Sequence, residues 1–520
     1  FTHADTLRGT VTPERAWWDA VHYDLRVAFD FNRRSIAGIN SITYKIVSTP
    51  SKEMQIDLQA GLDIDSVLYE NRRLSFRRDG NAYFILVPET NGNTNTRKIQ
   101  VYYHGIPRPA LRPPWDGGVI WSKDKEGNPW ISVACQGLGA SVWYPCKDIQ
   151  SDEPDSASLS MIVPDTLMAI ANGRLRSQSK NSDGTATYTW AVTEPINNYN
   201  LVPYIGKYVH WHELYNGEKG KLDCDFWVMP YNLTKAKQQF KQTFQMLRCF
   251  EYWFGPYPFY EDGYKLIEAP HLGMEHQSAV AYGNGFANGY KGTDLSGTGW
   301  GLKWDFILVH ESGHEWFGNN ITTKDIADMW VHEGFTNYSE TLYTDCEFGK
   351  EAGNDYVIGT RKLIRNDSPI EGPFGVNQEG SGDMYYKGGN LIHTIRQIMD
   401  NDSLFRMLLR GMNQTFYHQT VTGKQIENYI SQTSGIDFSK VFDQYVRTTL
   451  VPVLEYKMKG NTLKFRWANC VAGFNMPLKI NFGSVRWIHP TQQWKSVKMK
   501  KGEAAAFSVD RNFYINTKPL

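Results

Sequence analysis

From Val21 to about Trp227 apolar and polar residues alternate in short runs, the period of half-buried strands. His22 to Val27 alternates in this way and, after a break at Gly38, Ile42 to Val47 follows. The runs Tyr83–Val87, Ile99–Tyr103 and Thr187–Trp190 repeat the pattern between Gly, Pro and Asn clusters. Many short strands with frequent turn residues predict an all-β sandwich or saddle. Near Pro230 the period changes. Leu233 to Phe254 has helical spacing, Tyr264 to Glu268 reads as a strand, and Trp304 to Arg447 places apolar residues three and four apart. Past Pro452 the alternation returns at Leu454–Met458, Leu463–Trp467, Leu478–Phe482 and Val485–Ile488. The pattern predicts an α+β multidomain chain. A β domain spans 1–229, a mostly helical domain 230–450 and a small β-sandwich 451–520.

At 520 residues the chain exceeds one ordinary core, in keeping with several domains. Lys+Arg and Asp+Glu both number 55, so the whole chain offers no field of one sign to draw nucleic acid or an anionic membrane. No apolar run approaches the roughly 20 residues needed to cross a bilayer, and no membrane span is expected. The aromatic content, 14%, suits a large core and an aromatic-lined cleft. Cys135, Cys146, Cys224, Cys249, Cys346 and Cys470 lack zinc-ribbon spacing. They are expected to be buried thiols packed as small hydrophobes, with one bridge among them left open. The chain opens Phe1-Thr2-His3-Ala4 without an initiator Met, as removal of a secretory signal would leave it, so export to the periplasm or beyond is the expectation.

One stretch carries chemistry. In His310-Glu311-Ser312-Gly313-His314 the two histidines stand four apart, on one face of a helix, so both imidazoles reach a single metal. Eighteen residues separate His314 from Glu333, which lies in a second helical segment and can fold back as a third ligand. Zinc held by two histidines and a carboxylate keeps a fourth position for water, the arrangement of a catalytic site, with Glu311 beside it as candidate general base. Glu340, seven residues after Glu333 on the same face, is placed to accept the second N–H of a zinc histidine, with Asn337 competing for that place. His332, His271 and His276 read as neighbours of the site, not ligands.

These motifs resemble those of the gluzincin aminopeptidases, the zinc peptidases related to aminopeptidase N and the leukotriene hydrolases. The resemblance takes in His22-Tyr23-Asp24-Leu25, Pro145-Cys146-Lys147-Asp148, Gly273-Met274-Glu275, the histidine pair with Glu333, and Tyr385-Tyr386-Lys387-Gly388. It implies a β-saddle followed by a thermolysin-like catalytic domain, one zinc ion, and peptide substrates with a free amino terminus that are cut at the first peptide bond. Glu275 would bind the α-amine, with Gly273 and Met274 flanking the substrate. Tyr385 would donate to the oxyanion, and Gln136 would assist at the amine. The chain departs from the family's pattern at Leu272, His276 and Ala134, which puts the first specificity pocket in question. Two other readings remain: an epoxide hydrolase of the leukotriene branch, whose members carry a helical carboxy-terminal domain where this chain has β-strands, and a non-catalytic relic of the fold. Against the relic, every residue of the catalytic set is present.

Overall fold

The structure is a computed structural model describing residues 1–88, 95–500 and 503–520. Its first strands form an eight-stranded sheet around Trp18–Asp30, which pairs antiparallel with Ser35–Ile46 and parallel with Ser156–Pro164. The inward residues of the central strand, Tyr23, Leu25 and Val27, are fully buried. A four-stranded sheet containing Gly118–Lys123 and Pro129–Ala134, and a three-stranded one containing Glu53–Asp57, add to this β domain.

The hairpin Val209–Gly217 and Gly220–Val228 belongs by its alternation with the strands before it. Its partners lie ahead: Gly220–Val228 runs parallel to Tyr264–Glu268, in a five-stranded sheet that also holds Val280–Tyr282 and Gly273–Met274. Alternation identifies a strand but not the sheet it joins. The helical stretch predicted from Leu233 to Phe254 is two helices, Leu233–Gln239 and Gln242–Phe254. The break falls at Phe240, whose ring packs among Trp211, Phe226 and Tyr282. Within the predicted helical region, Ile321–Thr323 and Gln419–Val421 pair as short parallel strands.

The helix Trp330–Phe348 is the axis of the helical part. It is buried on every side from Trp330 to Thr344, the burial of a helix enclosed by others. Cys249 and Cys346 form a disulfide that joins this helix to Gln242–Phe254, the one bridge the sequence left open. Cys135, Cys146 and Cys224 are buried free thiols.

Two facing sheets, one of four strands and one of three, form the sandwich after Val453. Its inner residues, among them Leu454, Phe465, Trp467 and Ile480, are continuous with the apolar cluster of the helices.

The disulfide closes a loop of 97 residues across two packed helices. Its reduction should lower stability by about 2–4 kcal/mol. Denaturant unfolding with and without reductant measures this, and coincident transitions would contradict it.

Candidate active site

Asp305 starts the first metal-binding helix, Phe306–Gly313, its carboxylate accepting from Leu308 N at the helix start. Tyr282, Gln239 and Asn284 donate to the same carboxylate and hold the helix end against the sheet. One turn on, the rings of His310 and His314 lie 5.0 Å apart. Each presents Nε2 to Glu333 Oε2, at 3.6 Å from His310 and 3.3 Å from His314.

The far nitrogens are already engaged. His310 Nδ1 donates to Glu340 Oε1 at 2.7 Å, and His314 Nδ1 donates to the Phe317 carbonyl at 2.9 Å. Both Nε2 atoms therefore face inward, where a bound metal would take their lone pairs in place of a proton. Glu340 is itself fixed by Tyr356 Oη at 2.7 Å and by Asn337 Nδ2. Asn337 thus supports Glu340 and does not compete with it.

This set fits a divalent metal. The two imidazole nitrogens and the carboxylate oxygen all lie within 4.8 Å of one another. Ligands about 2.1 Å from a tetrahedral ion stand about 3.4 Å apart. Glu333 Oε2 is buried and accepts no hydrogen bond of good geometry, which leaves it available to a cation. Burial alone would raise the Glu333 carboxyl, but the imidazoles facing it hold it far below the usual range. For His314, burial opposes the charged form, and the neighbouring carboxylates outweigh it, raising the ring to about 9.

Glu311 and Glu275 stand opposite each other. One oxygen of each and a His314 nitrogen lie within 4.8 Å of one another. Burial is the main reason the Glu311 carboxyl rises to about 7, and burial likewise raises Glu275. Gly273 lies against Glu311: a Cβ there would meet Glu311 Oε1 and Ile307 Cγ2, both at 2.7 Å, so the strand edge can pass beside the carboxylate only without a side chain.

Tyr385 arrives by a close helix crossing. The helices Trp330–Phe348 and Tyr386–Met399 meet at Gly334 and Gly388, where a Cβ on Gly388 would come within 2.8 Å of the Gly334 Cα. The Tyr385 ring stacks 6.0 Å from that of His310. Burial, then the carboxylates of Glu333, Glu379, Glu275 and Glu311, keep its phenol protonated and able to donate.

Glu275, Glu311, His310, His314, Glu333 and Tyr385, together with Gln136, Gly273 and Met274, line one cleft of about 600 Å³ between the β domain and the helices. Gln136 Nε2 is buried there without a hydrogen-bond partner among the described residues. Of the three departures, only Leu272 lines the cleft. His276 is fully buried, its Nδ1 2.5 Å from Tyr204 Oη, and Ala134 is enclosed in the β domain. Neither His276, His271 nor His332 joins the metal set, and His332 Nε2 accepts from Thr323 N at 2.8 Å.

Sequence reasoning missed the supports of Glu275. Tyr199 Oη donates to its carboxylate at 2.9 Å, and Asn319 Nδ2 donates both to its backbone carbonyl and to Glu315 Oε1. Glu315 also receives Tyr257 Oη and the backbone N–H of Ser278, which sits at a left-handed φ of 52°. Asn319 and Glu315 are four apart just beyond the histidine pair, a signal that was present in the sequence. Tyr199, 76 residues from Glu275, gave none. Glu379 and Trp115 also line the cleft.

A helical catalytic unit with a metal set at one wall of its cleft, joined to a β-saddle, defines a metallopeptidase fold. Residues 239–445 match the peptidase family M1 domain and residues 19–199 the peptidase M1 N-terminal domain. The chain belongs to peptidase family M1. It is 21% identical over 461 residues to probable aminopeptidase 2 of Sulfurisphaera tokodaii, covering 85% of this chain and 55% of that protein. It is 22% identical over 444 residues to leukotriene A-4 hydrolase of Xenopus laevis, covering 81% and 68%. The chain thus spans about half the length of aminopeptidase relatives such as the first. The fold is that of the M1 zinc metallopeptidase of Deinococcus radiodurans, with a TM-score of 0.70 at 20% identity over 84% of this chain and 95% of that one.

Glu340→Gln replaces the acceptor of His310 Nδ1 by a neutral amide, and should weaken divalent-metal affinity about 10- to 100-fold. Competition with a chromogenic chelator reads this directly, and wild-type affinity would remove Glu340 from the support of His310.

Proposed function

We propose that this chain is a zinc-dependent aminopeptidase that releases the first residue of peptides with a free amino terminus. One observation carries the reading: Glu275 lies within 4.8 Å of both Glu311 and His314, so an ammonium group paired with Glu275 sets the adjoining carbonyl beside the base and the metal set. His310, His314 and Glu333 would hold the zinc ion. When bound, zinc supplies Lewis-acid chemistry, polarising a carbonyl and making water more acidic.

The chain's own residues do the rest. Glu275, steadied by Tyr199 and Asn319, pairs with the α-ammonium, and Gln136 offers its unpartnered amide beside it. Together they measure one residue from the amino terminus. Glu311 takes a proton from the attacking water and passes it to the leaving amine nitrogen. The Tyr385 phenol donates to the oxyanion that develops as the carbonyl becomes tetrahedral. A free amino acid and a peptide shorter by one residue leave.

Export to an oxidising compartment accompanies this reading, and the Cys249–Cys346 bridge supports it, since such bonds persist outside the reducing cytosol.

Glu311→Gln should abolish turnover while bound zinc stays stoichiometric by elemental analysis; retained peptidase activity removes Glu311 as the base. Glu275→Ala should raise KM for free peptides, and amino-terminal acetylation should block wild-type cleavage. Equal cleavage of acetylated and free peptides would refute the aminopeptidase reading. Tyr385→Phe should lower kcat about 10²–10³-fold in a stopped assay, with metal content unchanged.

A further inference from the structure

The zero charge of the whole chain is a sum of two unequal parts. Residues 451–520 hold twelve Lys and Arg against three Asp and Glu, a net charge of +9, which leaves −9 on the first 450 residues. The expectation that no field of one sign is present therefore fails at the scale of the terminal sandwich.

The charge is also concentrated on one face. In the four-stranded sheet Lys457 lies opposite Lys464, and Lys464 lies opposite Ser496. Thr462 lies between Lys459 and Lys498, and Glu455 between Arg466 and Lys518. Residues directly opposite share a face, so five lysines and Arg466 point outward, while Leu454, Leu463 and Trp467 point into the core. Glu455 is the one acid on this face among the described residues, and it is taken by Arg466 at 2.7 Å and Lys518 at 3.3 Å. Lys457, Lys459, Lys464 and Lys498 form no ion pair among the described residues. Like charges set directly across a sheet destabilise it, a cost that an external anion relieves. Trp494 lies over the same face with Lys457 Nζ 4.6 Å and the Arg466 guanidinium 4.8 Å from its ring, and it is 37% exposed.

We propose that this face docks the protein on an anionic lipid surface. The outer side of a sheet spreads its cations over a plane, as a bilayer spreads its headgroups, whereas single-stranded nucleic acid is tracked by a charged groove. Lysine is a hydrated point charge on a flexible stem and suits a diffuse field. The only arginine, whose fork would select a discrete phosphate, is already held by Glu455. An indole with one polar edge, set among lysines, is the side chain that seats at headgroup level. The attachment made by this face is electrostatic; no helix among the described residues is long and apolar enough to cross a membrane.

The test sediments the full chain with vesicles of phosphatidylglycerol and phosphatidylcholine, and with vesicles of phosphatidylcholine alone. Binding to the anionic vesicles only, weakening as salt rises, is expected. The variant Lys457→Gln/Lys464→Gln/Lys498→Gln should lower the partition constant about 100-fold, at about fivefold per lysine, with peptidase activity unchanged and Tm the same or higher, since the Lys457–Lys464 repulsion is gone. Absence of binding to anionic vesicles, or equal binding by the variant, overturns the proposal. So does binding to heparin or a DNA oligonucleotide that the variant loses while vesicles are ignored. Salt-sensitive self-association in ultracentrifugation that the variant abolishes would assign the face to a second copy instead.

Discussion

The contact of Gly334 with Gly388 is the constraint on which the site depends. The helix Trp330–Phe348 brings Glu333 to the histidines and Glu340 behind them, and it is buried on all sides along that stretch. The helix Tyr386–Met399 carries Tyr385 at its entrance. A Cβ on Gly388 would meet the Gly334 Cα at 2.8 Å, and one on Gly334 would sit tightly at 3.2 Å from the Gly388 Cα. A side chain at Gly388 would push the helix of the ligand carboxylate away from that of the phenol. The geometry of the reacting groups is thus set by glycines beside them, one residue after Glu333 and three after Tyr385.

The metal set was legible because its spacing is local. His310 and His314 face one point on any helix, and Glu333 needed only a second helix to return. Glu275 and Tyr385 were reached through motif resemblance, since no periodicity connects residues so far apart. What stayed hidden was the layer behind. Tyr199 and Asn319 hold Glu275 through bonds between distant segments, and Asn337 proved to be a donor to Glu340 where the sequence suggested a rival. The departures also divide differently in space. His276 and Ala134 are packed behind the cleft wall, and of the three departures only Leu272 forms part of it.

At fold level, alternation marked the strands but not their sheets, which is why the Val209–Val228 hairpin joined the unit after it. Charge was misread for a related reason. A total over 520 residues averages a basic sandwich with an acidic body, and only the register of its strands shows that the lysines share a side.

The apolar cluster of the helices does not stop at Pro452. It runs on through Leu454, Phe465, Trp467 and Phe513, so the terminal sandwich and the helices around the site share one interior. Such a boundary gives way as a unit. Separating the two parts would bare a large oily surface on each, so partial opening at this junction is disfavoured and the pair should melt in one cooperative step. A sandwich attached in this way transmits its anchorage rigidly. Whatever surface holds its lysines also fixes the direction in which the cleft opens.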